Sequence, residues 1–168
     1  MALHGKFELN DADYSPLTFP GVGTFLAFSG DGACRNHVTC GVIPTQGPVP
    51  AGLYWIVDRP EGSTFNQVRA IMGDTFNRTF KGAVFSHSEW FALFPDNWGN
   101  VKDSLWIEGV SRGGFRLHPG QLSEGCITLA HNTDFGLLRN ALLRTTKTPV
   151  TCMKNMMAYG TIKVITNG

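Results

Sequence analysis

The chain has little charge of either sign and no long apolar run. Charged residues make up 16% of its 168 residues and the net charge is +1. That balance excludes a polycationic surface of the kind that grips nucleic acid, while the 42% hydrophobic content excludes a disordered chain. No stretch reaches the ~18 uninterrupted apolar residues that a membrane-spanning helix needs. In the first thirty residues Lys6, Glu8, Asp11 and Asp13 interrupt every candidate core of a secretory signal. These absences point by default to the cytoplasm. Repeats, low-complexity tracts and linkers are also missing, so residues 1–168 read as a single domain and a monomer, long enough to bury roughly two thirds of its unfolded surface.

Cysteine is scarce. The four are Cys34, Cys40, Cys126 and Cys152, and their spacing lacks the paired CxxC half-sites of a zinc centre. His4 and His37 have no acidic or thiol partner at ligand-like spacing, so neither a metal nor any other cofactor is expected. Cys34 and Cys40 are near enough in sequence to form a disulfide; buried free cysteine is the alternative.

What is abundant is glycine (20), proline (9) and phenylalanine (12), a mixture that suits many short strands and tight turns. Strands are expected at residues 6–10, 21–30 and 53–57, within 83–95 and 104–110, at 115–118 after a turn at "SRGG", and at 160–166. Two helices are expected to pack on the outside of the sheets. One spans residues 64–79, capped by Ser63, with Phe65, Val68, Met72, Phe76 and Phe80 on one face and Gly73 weakening its middle. The other spans residues 132–146, capped by Asn132 or Thr133, with a buried stripe of Phe135, Leu138 and Leu142 and Pro149 just past its end. The inventory is mainly β.

Chemistry concentrates in "FRLHPGQLSEGCITL", residues 115–129. A cysteine nucleophile needs a base or cation near the sulfur, donors for an oxyanion, and exposure. Gly125 permits a sharp turn that projects the Cys126 sulfur and leaves backbone N–H groups for a substrate oxygen. His118 ends a strand, and after Pro119-Gly120 a seven-residue loop returns the chain toward Cys126, within hydrogen-bonding range of the imidazole. An imidazolium beside the thiol would lower its pKa below the ordinary value near 8.5. The residues alone leave a second reading open, a small buried cysteine next to a turn histidine.

"SEGCIT" resembles the SxGC(I) motif of L,D-transpeptidases, cysteine enzymes acting on peptidoglycan stem peptides, and "GPVPAGLYWI" resembles their TPxGxYxI segment. Residues 87–129 are similar to the antibacterial L,D-transpeptidase-like effectors of type VI secretion systems, and the resemblance as a whole covers most of residues 20–145. It implies an L,D-transpeptidase-like β-sandwich with about two peripheral helices. It further implies Cys126 as nucleophile, His118 as general base, the Gly125–Cys126 backbone as oxyanion donors and Ser123 as the local candidate for orienting the imidazole. Ser123 reads equally well as a solvent-facing turn residue. Three departures stand out: Glu124 replaces the usual histidine, Thr128 the usual arginine, and the base lies about half as far upstream of the cysteine as in ordinary members.

Around this pair, Arg116 lies two residues before His118 on the same strand face and is a candidate for a substrate carboxylate, with a surface arginine as the alternative. Trp90 is a candidate cleft wall, whereas Phe91 reads as core, Arg112 as a solvated turn residue, His87 as structural and His131 as the runner-up base. The resemblance implies tetrapeptide stems as substrate, cleavage or exchange at the diaminopimelate–D-alanine bond, action in a target cell's periplasm after injection, and two partners, an immunity protein and an export adaptor. Two other expectations compete with it: a non-catalytic peptidoglycan-binding module, and a cytoplasmic cysteine amidase.

Overall fold

In the strand Leu3–Leu9 (β1), Gly5, Phe7 and Leu9 are buried while the residues between them are not. That period of two recurs through most of the chain and gives each strand an inner and an outer face. The computed structural model describes residues 2–59, 89–97, 100–150 and 155–166. Besides β1 these hold Ser15–Phe19 (β2), Gly23–Phe28 (β3), Gly52–Asp58 (β4), Phe91–Asn97 (β5), Asn100–Val101 (β6), Ser104–Ile107 (β7) and Val110–Gly113 (β8). Arg116–Pro119 (β9), Ile127–Leu129 (β10), the helix Asn132–Arg144 (α1), Thr148–Pro149 (β11) and Met157–Thr166 (β12) complete them.

The strands join in the order β1-β2-β3-β10-β9-β5-β4-β12, and β12 then pairs in parallel with β1 from Leu3↔Gly160 to Leu9↔Thr166. The main sheet therefore closes on itself as a barrel, where a two-sheet sandwich was expected. The closing pair removes both sheet edges. It depends on Gly160, at an irregularity in β12, because a Cβ there would lie 1.7 Å from the Leu3 carbonyl oxygen. The mainly β reading of the sequence holds, and among the described residues the β1–β12 pair joins the main sheet into one barrel-like sheet. The β7–β8 hairpin stands as a separate two-stranded sheet.

Inside the barrel Phe7, Leu17, Ile56, Leu93, Leu117 and Leu129 form part of one apolar core. The helix adds Phe135, Leu138 and Leu142 to it, each fully buried and each worth about 1.5–3 kcal/mol of hydrophobic transfer. The stripe expected from the sequence is thus the one observed, starting one turn after an N-cap at His131 rather than Asn132 or Thr133. A second, smaller cluster on the opposite face of β4 and β5 holds Val57, Ala92, Phe94 and Val101. Among the described residues no helix is long and apolar enough to cross a membrane.

Two local expectations change, and a third lies outside the described residues. Residues 15–19 form β2, which prolines at positions 16 and 20 hid from a propensity reading. The hairpin turns at Glu108-Gly109, both at positive φ (48° and 79°) as a tight two-residue loop requires, so Ser111 to Gly113 belong to β8 and not to a turn at "SRGG". The expected helix at residues 64–79 and the segment before Glu89 lie outside the described residues.

Barrel closure generates a test. Gly160→Ala puts a methyl group against the Leu3 backbone and should lower the unfolding free energy by about 1–3 kcal/mol or more, read by denaturant titration. The same change at Gly109, where a Cβ meets nothing, strains φ alone and should cost less.

Candidate active site

Strands β9 and β10 are adjacent and parallel, with Leu117 opposite Ile127, His118 opposite Thr128 and Pro119 opposite Leu129. Leu117, Ile127 and Leu129 are fully buried in the barrel core, so Arg116, His118 and Thr128 face the other way. The antiparallel register of β5 on β9, Phe91 to Leu117 and Ala92 to Arg116, continues to place Trp90 beside His118. One row across three strands thus reads Trp90, His118, Thr128.

The imidazole in the middle of this row is fully buried and held on three sides. Nδ1 lies 2.8 Å from the Pro119 carbonyl oxygen. A carbonyl only accepts, so Nδ1 carries the proton. Nε2 lies 3.2 Å from the Thr128 hydroxyl, and the Trp90 indole stacks on the ring at 4.1 Å between centroids and 18° between planes. Burial pushes the His118 pKa down to about 4, opposed by the Pro119 hydrogen bond. The ring is therefore neutral, with its Nε2 lone pair turned toward β10.

Cys126 is half-buried and stands one residue ahead of β10, which puts it a pleat before Thr128, next to Arg116 rather than His118. Burial pushes its thiol up to about 11, against a hydrogen bond from the Arg116 backbone and the Arg116 charge, which lower it; Glu124 and Asp103 raise it further. The expected imidazolium–thiolate pair is thus not the resting state: both partners are neutral, because both lose their water. Nor does the seven-residue loop bring the imidazole into hydrogen bonding with the thiol. It returns the chain far enough for a parallel strand, and Thr128 takes the position opposite His118.

Ser123 does not orient the imidazole; the Pro119 carbonyl does. The Ser123 hydroxyl, fully buried, donates to the Cys126 carbonyl at 2.7 Å and accepts the Gly30 N–H at 3.3 Å. It ties the cysteine backbone to the loop after β3. Gly125 adopts φ 105°, which favours glycine, and a Cβ there would sit 2.6 Å from the Arg112 guanidinium. Arg112, expected to be solvated, is buried and donates to the carbonyl oxygens of Gly41, Gly47 and Pro48. Its register partner Leu105 packs against the core, so Arg112 points inward too. The loop it grips carries the Cys34–Cys40 disulfide.

Arg116 is committed to Asp103 through two hydrogen bonds of 3.0 and 3.1 Å, and to the Phe115 carbonyl at 2.8 Å. A substrate carboxylate would have to compete with Asp103. Trp90 is buried against His118 and so fixes the ring plane, where a cleft wall was expected. Phe91 is core, as expected, and His131 is exposed at the start of α1. His87 and Cys152 lie outside the described residues. Among the described residues no group of three His, Cys, Asp or Glu is placed to hold a metal ion. Sequence reasoning missed the roles of Thr128, Arg112 and Asp103 in this arrangement; strand alternation from Leu117 and Ile127 is the signal that reaches Thr128.

The buried histidine makes stability depend on pH. Its folded pKa of about 4 lies below the ordinary 6.5, so between those values the unfolded chain takes up a proton that the folded one refuses. The contribution is complete above pH 6.5 and is lost as pH falls through 4. His118→Asn should flatten the fall in Tm between pH 6.5 and 4 relative to the unaltered protein; an equal fall in both would refute a neutral buried ring.

No curated protein matches this sequence. A family model, that of the Tlde1 domain, matches residues 23–153, a span that takes in β3 through α1 and both Cys126 and His118. The match covers well over half of the chain. The protein belongs to the Tlde1 family, the peptidoglycan-targeting L,D-transpeptidase effectors of type VI secretion.

Proposed function

We propose that the whole chain, residues 1–168, is one catalytic domain that acts on tetrapeptide stems of peptidoglycan at the bond between the L-centre of meso-diaminopimelate and the terminal D-alanine. The observation that carries this reading is the placing of Cys126 and His118 on one face of two adjacent strands, two residues apart in register, with the Nδ1 proton given to the Pro119 carbonyl and Nε2 left as the acceptor. Family membership supplies the substrate class.

In this mechanism the resting pair is neutral, so the thiol proton passes to Nε2 as the sulfur attacks the carbonyl carbon, and not before. The Gly125 and Cys126 N–H groups take the oxyanion, at a turn that Gly125 permits and Arg112 fixes from below. His118 then returns its proton to the departing amine of D-alanine and a thioester remains. Water resolving the thioester gives L,D-carboxypeptidase activity; a free D-amino acid gives exchange, and the amine of another stem a cross-link. Either of the first two outcomes removes or alters the donor a cell needs to cross-link its wall, which fits an antibacterial toxin delivered to a target periplasm. Such a toxin needs an export adaptor and leaves its producer in need of an immunity protein that blocks the site.

Two observations favour a rival, a non-catalytic peptidoglycan-binding module: the thiol is held up at about 11, and Nε2 is engaged by Thr128 rather than by the sulfur. Incubation with disaccharide tetrapeptide followed by mass spectrometry separates the two. The enzyme should release alanine, or replace it with a supplied D-amino acid; Cys126→Ala should abolish both, and His118→Asn should slow them by about 10²–10⁴. Binding without any change in substrate mass would establish the module.

A further inference from the structure

Beside the His118 imidazole stands a hydroxyl that the reaction as written does not use. Thr128 and His118 are opposite residues in the β9–β10 ladder, both fully buried, with Oγ1 and Nε2 3.2 Å apart. Nδ1 already donates to Pro119, and a neutral ring has one proton to place, so Nε2 accepts and the Thr128 hydroxyl donates. An aliphatic side chain at this position would fill the space and leave Nε2 without that donor.

We infer that Thr128 is a positioning residue for His118, its hydroxyl holding Nε2 on the side of β10 that carries Cys126 and keeping that nitrogen the proton acceptor. The inference rests on the reading of Cys126 and His118 as nucleophile and base. Pro119 holds Nδ1 and Trp90 holds the ring plane, and the Thr128 contact engages Nε2, the nitrogen that must receive the proton. Cys126 is two residues earlier on the same strand face, so a ring aimed at Thr128 keeps Nε2 on the face of β10 that carries the sulfur. When the thiol proton arrives at Nε2 the hydroxyl has no lone pair left to donate to. It then turns its own lone pair toward the imidazolium, a reversal that a hydroxyl makes and a methyl group does not.

Two variants and one spectroscopic signal test this. Long-range proton–nitrogen NMR of the unaltered protein should show His118 protonated at Nδ1, with Nε2 displaced from the free-acceptor position by a donated hydrogen bond. Thr128→Val should move the Nε2 signal to the free-acceptor position and slow alkylation of Cys126 by iodoacetamide, followed on the Cys126 peptide by mass spectrometry, about tenfold or more, in line with the cost of a misplaced catalytic group. Thr128→Ser, which keeps the hydroxyl, should restore both to within about threefold. An Nε2 signal in the unaltered protein at the free-acceptor position overturns the inference without any variant. So does a serine variant as slow as the valine one, since packing and not the hydroxyl would then be at work. His118→Asn distinguishes the levels. If it leaves alkylation unchanged, the nucleophile–base reading fails and this inference with it; if alkylation depends on His118 but not on Thr128→Val, this inference alone fails.

Discussion

The parallel register of β9 and β10 is the constraint on which the site depends. Leu117, Ile127 and Leu129 are locked into the barrel core, and a slip of one residue would turn each of them outward. That lock decides the other face. Arg116, His118 and Thr128 must point away from the core, and Cys126, continuing the strand backward, falls beside Arg116. Parallel neighbours usually require a crossover of a dozen residues or more. Here β9 has four residues and β10 three, so the seven residues between them are enough to return the chain to the start of its neighbour. Short strands make the short connection possible, and the short connection keeps His118 and Cys126 near its two ends.

Burial then sets the chemistry of the pair. Desolvation disfavours the charged form of an acid and of a base alike, so it raises the thiol and lowers the imidazole together. The two shifts oppose an ion pair in the resting protein, and in the proposed mechanism they make proton transfer accompany attack. Arg116 shows how the fold limits stray charge near the sulfur. Its guanidinium would pull the thiol down strongly if it stood alone, but Asp103 binds it at two points and pushes the thiol the other way. Burial remains the largest influence on the thiol.

How much of this was legible in the sequence depends on which force fixes each element. The α1 stripe of Phe135, Leu138 and Leu142 follows from helical spacing and appears in the structure as read. The His118 and Cys126 segment was legible as a strand, a turn and a glycine-backed cysteine. Their partnership was read as a hairpin-like return with the imidazole against the thiol, because sequence separation gives proximity but not direction. The parallel direction is imposed by the apolar residues 117, 127 and 129 finding one core. Arg112 was misread for a related reason. A charged residue in "SRGG" looks solvated until the β7–β8 register sets it opposite Leu105, whose side chain is drawn inward. Closure of the barrel was equally illegible, since it joins residues 3–9 to 160–166 and depends on a glycine whose importance lies in what approaches it.

The loop after β3 links these long-range effects to the reactive segment. Gly30 donates to the hydroxyl of Ser123, which in turn holds the Cys126 carbonyl; carbonyls of residues 41, 47 and 48 hold Arg112, which lies against Gly125. Two residues flanking the turn are therefore gripped by one loop, and the Cys34–Cys40 disulfide together with Asn36, which accepts from Ser29 N–H and donates to the Ala12 carbonyl, stiffens that loop. A buried guanidinium with carbonyl partners is costly to desolvate, and it is retained where its loss would leave several acceptors unsatisfied at once. Arg112 meets that condition. Its position beneath Gly125 means that the stability of the loop and the aim of the Gly125 and Cys126 N–H groups are set by the same side chain, so the turn cannot loosen without unfastening the loop that supports it.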